Sequence, residues 1–360
     1  MEENNNCTEM SLFEWTKNSK DWEVNCPLCG KKINLNPGKG QCGGLSIEKL
    51  KCTNDGCRFE VNTSWIWFKI KSSKLVDELL SKVPDYDIYK AWEWVNNFKY
   101  NNPTYQISEK NERNKSLSEL SSIITKTATW NNDGKILCIG CNSGYELLAL
   151  SSSNNNGDIK TIVSVDVSKN ILESGLKENY RVVKEKCGEK IEFLYCQSYV
   201  EKLEKSLKCF TVCSNGQSYS LSADANREYG DCDFDLVLAL KLFQSSYFED
   251  ISKLRQSLIR ISEKMRSNAT LIISIPKATC YIPQDQTCLV NNSSHKIEGE
   301  TKVNFISGIY QPNGFVDGVD SLKFLDKLVQ EVLFLGEFIN ISVYYGNEKS
   351  YEYYITCKKR

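Results

Sequence analysis

Residues 135–150 read Lys135-Ile-Leu-Cys-Ile-Gly140-Cys-Asn-Ser-Gly144-Tyr-Glu-Leu-Leu-Ala-Leu150. KILCIG (135–140) is a short apolar run ending in glycine, which reads as a buried strand, and YELLALSS (145–152) reads as a helix. The turn between them, Gly140-Cys141-Asn142-Ser143-Gly144, needs dihedrals that glycine tolerates and lets the backbone approach a ligand closely. The helix start beyond it offers unpaired N–H groups to a carboxylate or phosphate. Dinucleotides favour G-x-G-x-x-G, whereas this turn reads G-x-N-x-G-Y and lacks the third glycine.

Outward from this unit the same texture repeats. TIVSVD (161–166), IEFLYC (191–196), DLVLAL (235–240) and ATLIISI (269–275) read as strands. The amphipathic stretch ILESGLKENYRVVKE (171–185) and the run Tyr247 to Met265 read as helices between them. Strands alternating with helices imply a doubly wound α/β domain with a mostly parallel sheet. The end departs from that rule. A helix from Ser321 to Val332 precedes FINISVYYG (338–346), a turn at Asn347-Glu348-Lys349, and YEYYITC (351–357). Strands joined so tightly are antiparallel, so the expected sheet has seven strands and a C-terminal antiparallel hairpin.

Asp166 closes the second strand, 26 residues after Gly140. A carboxylate there suits the two hydroxyls of a ribose; it equally suits the start of the next helix, as does Ser168. The loop, the strand ends and the terminal hairpin together resemble the class I (Rossmann-like) S-adenosylmethionine-dependent methyltransferases over residues 134–358. The resemblance implies a cofactor site at Gly140, Cys141, Asn142, Gly144, Asp166, Gln197 and Ala239, with the methionine end on the loop. It implies that Gln197 stands where the family often has an Asp contacting the adenine amino group, and a glutamine oxygen still accepts that bond. One departure stands out: the family carries Asp or Glu where this chain has Cys138. The fourth strand runs into Lys241-Leu242-Phe243-Gln244 rather than the Asp/Asn-Pro-Pro-aromatic motif of enzymes that methylate base amines or glutamine amides. Lys241 and Phe243 are then expected near the transfer site, unless Lys241 is a solvated strand end and Phe243 core.

Toward the N-terminus, Cys26-Pro-Leu-Cys29 and Cys52-Thr-Asn-Asp-Gly-Cys57 form two pairs on separate turns. Four thiolates so arranged suit one structural Zn²⁺, with Cys42 as an alternative ligand, and the segment resembles a zinc ribbon. Reduced structural thiols are the bland alternative. The expected organisation is a zinc-ribbon-like module at 1–72, a helical connector at 73–126, and the methyltransferase-like domain at 127–360. Trp65, Trp67 and Phe68 fit a strand packed on helices better than a base-stacking surface.

Two long insertions, at about 202–233 and 276–320, are expected above the carboxyl edge of the sheet, where substrate binds in such folds. The second holds Tyr281, Tyr310, Phe315 and the sole histidine, His295; Tyr281, His295 and Lys241 are the catalytic candidates. The 45 basic and 46 acidic residues leave a net charge of −1, which does not call for a nucleic-acid partner. The chain therefore points to an enzyme that methylates N or O on a small molecule or a peptide or protein side chain. An RNA methyltransferase gripping RNA through Lys31, Lys32, Lys39, Lys51 and Arg58 is a second reading, and an inactive scaffold a third. The acidic, polar start and the absence of an eighteen-residue apolar run lead us to expect a cytoplasmic protein without membrane contact.

Overall fold

The structure is a computed structural model; it describes residues 23–34, 38–39, 45–46, 49–52, 54–62, 65–66, 69–70, 76, 79–100, 116–130, 133–142, 144–152, 159–188, 190–214, 219–222, 227–229, 234–243, 250–276, 280–281, 302–303, 305–311, 314–346 and 352–360. Contacts divide the chain into two units: residues 1–111 with 280–303, and residues 112–279 with 304–360. The stretch 73–126 thus contributes to both units.

In the first unit, β1 (Glu23–Asn25) and β2 (Lys32–Asn34) form a hairpin, as do β3 (Lys49–Lys51) and β4 (Glu60–Asn62). Helix α1 (Ile88–Tyr100) supplies the apolar support that these short strands lack. Trp94 meets Phe59 edge to face at 5.9 Å, and its Nε1 donates to the carbonyl of Asn25 at 2.6 Å. Ala91, Val76 and Leu79 are buried in the same unit.

The second unit opens with helix α2, residues 116–127. Its Leu120, Ile123 and Ile124 fall three and four apart and join the core under the sheet. The strands are β5 (Gly134–Ile139), β6 (Ile159–Asp166), β7 (Glu192–Gln197), β8 (Leu207–Ser214), β9 (Tyr219–Leu221), β10 (Arg227–Tyr229), β11 (Phe234–Leu240) and β12 (Met265–Pro276). After the hairpin β13 (Phe305–Gln311) and β14 (Gly314–Asp317), the last two are β15 (Phe338–Tyr344) and β16 (Glu352–Lys359). The helices are α3 (Lys169–Cys187), α4 (Ile251–Ser262) and α5 (Gly318–Leu335). In α4 the Asp250 side chain caps the N–H groups of Ser252 and Lys253, and Leu254, Leu258 and Ile261 line the buried stripe.

The sheet order is β9-β8-β7-β6-β5-β11-β12-β16-β15, with β10 also paired to β8. From β7 to β12 neighbouring strands are parallel, and β16 runs antiparallel between β12 and β15. Numbered by their place in the parallel series, the strands read 3-2-1-4-5-7-6, the order of the class I methyltransferase fold. The strand order reverses between β5 and β11, so a crevice opens at their carboxyl ends.

Three expectations are corrected. The sheet has ten strands rather than seven, because the insertion at 202–233 forms β8, β9 and β10. This insertion extends the sheet sideways instead of roofing its carboxyl edge: Phe210 pairs with Tyr195 and Thr211 with Leu194, covering the open edge of β7. Lys264, 1% exposed, holds its approach by donating to the carbonyls of Glu204 and Lys205. Residues 145–152 form a 3₁₀ helix rather than an α-helix; its three-residue repeat places buried Leu147 and Leu150 on one face. The insertion at 276–320 lies largely outside the described residues. No helix among the described residues is long and apolar enough to cross a membrane.

Candidate functional site

The loop after β5 and the ends of β6 and β7 meet at the carboxyl edge of the sheet. Gly140 (φ 67°), Asn142 (φ 49°) and Gly144 (φ 69°) all lie in the left-handed region. Glycine takes it without strain and asparagine tolerates it, so the turn follows from its residue types. The N–H groups of Gly140 and Cys141 donate to the Val165 carbonyl at 2.8 and 3.2 Å, and that of Gly144 to the Cys141 carbonyl at 2.7 Å. Cys141 is 1% exposed and packs in the core, with its thiol donating to the Asn142 carbonyl at 3.7 Å.

Asp166 is buried and its carboxylate is fixed at both oxygens. Oδ2 accepts from the N–H of Asn142 at 2.8 Å, and Oδ1 accepts from the N–H of Ser168 at 3.0 Å. Ser168 is the residue before α3 and makes no side-chain cap of its own. A carboxylate oxygen has two lone pairs and can accept more than one donor. The Asp166 carbonyl receives the Tyr195 hydroxyl at 2.9 Å and the Ser198 N–H at 3.1 Å, which fixes the position of the strand end. Gln197 is half-buried, with Nε2 donating to the Val167 carbonyl at 3.1 Å.

Cys138 is 2% exposed, and burial, with Glu146 and Asp166 adding to it, holds its thiol well above the usual range. The position that carries a carboxylate in the resembling family is here a neutral buried thiol. Ala239 is fully buried in β11 and Phe243 is core. Lys241 leaves β11 with φ 53°, an unusual conformation for a long side chain. The Ser274 carbonyl and hydroxyl both accept from its N–H, at 3.1 and 3.0 Å, and its Nζ pairs with Glu352 Oε1 at 2.9 Å.

A shallow, partly open cleft that encloses room for about one water lies where the strand order reverses. Ser116 and Leu117 of α2, Tyr145 and Glu146 behind the loop, Lys241, and Glu352 and Tyr354 of β16 shape it. Sequence reading missed Glu146, Glu352 and Tyr354. The usable signal was Glu352, an acidic residue opening a strand whose next same-face positions, Tyr354 and Thr356, are buried. Tyr281 belongs to a two-residue strand paired with Lys302–Val303 and is grouped with the first unit. His295, Cys42, Trp67 and Phe68 lie outside the described residues, as do the side chains of Trp65, Tyr310 and Phe315.

In the first unit Cys26, Cys29, Cys52 and Cys57 converge, with all four sulfurs within 4.8 Å of one another. Each pair sits on a hairpin turn closed by a glycine of positive φ, Gly30 (70°) and Gly56 (83°). Cys26 and Cys57 sulfurs are 3.7 Å apart, and those of Cys29 and Cys52 are 3.6 Å apart. Four sulfurs at about 2.3 Å from a central Zn²⁺ would be roughly 3.8 Å apart, so the cluster fits a tetrahedral ion. Burial pushes the Cys26 thiol up to about 12, whereas the Lys31 N–H pulls Cys29 down to about 7. Four cysteines so placed could hold a metal ion, and binding it would displace their thiol protons.

No family model matches the chain, and no curated protein matches it. Solved structures do. An S-adenosylmethionine-dependent methyltransferase from Methanosarcina mazei aligns at 14% identity over 66% of this chain and 96% of its own, with a TM-score of 0.35. The N-methyltransferase NodS from Bradyrhizobium japonicum aligns at 11% identity over 69% and 96%, with a TM-score of 0.34. The PH0226 protein from Pyrococcus horikoshii aligns at 15% identity over 70% and 92%, with a TM-score of 0.35. The likeness is one of fold and extends no further.

Proposed function

We propose that this chain binds S-adenosylmethionine across the carboxyl ends of β5, β6 and β7 and methylates N or O on a small molecule or a peptide side chain. One observation carries the reading: in a 3-2-1-4-5-7-6 sheet, the positive-φ loop after the first strand is tied to the acidic end of the second. When bound, the cofactor supplies an electrophilic methyl group on a sulfonium. Asp166 would accept the ribose hydroxyls, Gln197 Oε1 the adenine amino group, and the backbone of Gly140–Gly144 would face the methionine end. The cleft at the β5–β11 reversal would position the acceptor or the cofactor's amino-acid end. Alignment and exclusion of water provide most of the rate in such a transfer, so no strong base is required.

Zinc at the four cysteines is part of the same proposal. With all four positions taken by protein sulfur, the ion would have a structural role and activate no water. Near-neutral net charge and a small cleft favour a small or side-chain acceptor over RNA.

Incubation with methyl-labelled S-adenosylmethionine and pooled small-molecule, peptide and RNA acceptors tests the reading. Label is expected on a small molecule or peptide. Label confined to RNA would overturn the acceptor assignment, and failure of folded protein to retain the cofactor would overturn the enzyme.

A further inference from the structure

The junction between the parallel sheet and its inserted strands carries a pair of thiols. In β7 and β8, Leu194 stands opposite Thr211 and Tyr195 opposite Phe210. The Tyr195 and Phe210 rings stack at 6.3 Å on one face, as directly opposed residues do. One residue further, the same register brings Cys196 opposite Cys209 on the other face. Cα atoms of opposed antiparallel residues lie about 4.5–5.5 Å apart, within the span of about 4.4–6.8 Å that a disulfide bridges. Both cysteines are free and buried, and their thiols hydrogen-bond to each other.

The two sulfurs are not equivalent. The hydrogen bond from Cys209, with the Lys264 ammonium adding to it, holds the Cys196 thiol below the usual range against burial and the Glu204 carboxylate. The same hydrogen bond, then burial and the charge on Cys196, hold the Cys209 thiol above that range. Arg227 and Glu192, an ion pair near Cys209, act on it in opposite senses. Cys196 is therefore the thiolate of the pair and Cys209 its proton-bearing partner. With 4% and 0% of their surfaces exposed, they admit only a small oxidant.

We infer that Cys196 and Cys209 form a redox-sensitive modification site, at which hydrogen peroxide converts the pair to a disulfide that fastens β8 to β7. The Cys196 thiolate attacks one peroxide oxygen. An S–O bond forms, the O–O bond breaks, and the departing hydroxide takes up a proton to leave as water. The Cys209 sulfur then attacks the resulting sulfenic acid. The S–S bond forms, the S–O bond breaks, and the Cys209 proton leaves with the hydroxide as a second water. The two thiols lose two electrons, which reduce one peroxide to two waters. Because β9 and β10 both pair with β8, one bond ties all three inserted strands to the parallel sheet. The step needs no S-adenosylmethionine and stands whether or not the cofactor binds.

The test treats the full-length, folded protein with hydrogen peroxide, raised until the exposed Cys213 on the same strand is oxidised. Its cysteines are then mapped by mass spectrometry of peptides digested without reductant. A peptide linked through Cys196 and Cys209, and separated again by dithiothreitol, is expected. Closing the short loop between them in the unfolded chain should raise Tm by about 5–10 °C. Cys209→Ser should stop the reaction at the sulfenic acid, so that dimedone labels Cys196 in the variant and little of it in wild type. Should Cys209→Ser fail to fold, the wild-type map decides the matter without it. Free thiols at both positions once Cys213 is oxidised would overturn the inference. So would Cys196 linked to another cysteine, or linked protein no more stable than reduced.

Discussion

The backbone N–H of Asn142 donates to Oδ2 of Asp166 at 2.8 Å, so a carboxylate at the end of one strand fastens the loop that leaves its neighbour. Asp166 thus orders the loop, and in the proposed cofactor site it would also offer oxygens to a diol. Asp166→Ala should remove both. One charged hydrogen-bonding group contributes on the order of 1.5–3 kcal/mol, so affinity for S-adenosylhomocysteine should fall at least about tenfold. Calorimetric titration measures this, and unchanged affinity would reduce Asp166 to a structural anchor.

Gly140 is a second test of the loop. Its φ is +67°, and an added Cβ would stand 3.2 Å from Cδ1 of Leu242. Gly140→Ala should cost about 1–2 kcal/mol in urea unfolding, chiefly from the left-handed backbone. Leu242→Ala in the same chain should not restore the loss, since the dihedral strain remains. Gly144→Val meets the same difficulty at φ 69° and should lower stability as well as cofactor binding.

The cysteine cluster predicts about one zinc per chain in purified protein, read by atomic absorption. Cys57→Ser should release it. Because Trp94 packs on Phe59 and bonds to Asn25 beside the first cysteine turn, its emission should shift as the metal is lost. Full metal content in Cys57→Ser would remove this residue from the ligand set.

Asp250 offers a prediction in pH. Its carboxyl is held below the ordinary 3.8 by the Ser252 hydroxyl and by the N–H groups of Lys253 and Ser252. A group whose folded pKa is depressed contributes stability above its unfolded pKa and loses it as pH falls through the folded value. Asp250→Ala should therefore lower Tm at neutral pH, with the difference from wild type shrinking only below pH 3.8. A difference that persists unchanged in acid would contradict the cap.

Much of this was legible in the residues. Continuous apolar runs such as DLVLAL mark strands buried on both faces, and β11 is buried throughout. The three added strands were hidden because LKCFTVCS is covered on one side only, so its alternation blends with loop composition. The convergence of the cysteines followed from spacing, since two short turns on hairpins leave few other arrangements. The cleft did not, because Glu146, Lys241 and the pair Glu352 and Tyr354 come from three separate places in the chain, and only the topology brings them together. Local pattern reports which side of an element is apolar, not which polar ends will meet.

What the loop from Gly140 to Gly144 holds decides whether this is a cofactor site. Titration of the zinc-loaded full chain with S-adenosylhomocysteine, and in parallel with NADH, tests this most directly. Saturable binding near one equivalent of S-adenosylhomocysteine, with no heat from NADH, is the predicted result, because the turn has no third glycine for a dinucleotide pyrophosphate. Tight binding of NADH, or no binding of S-adenosylhomocysteine by folded protein, would contradict it.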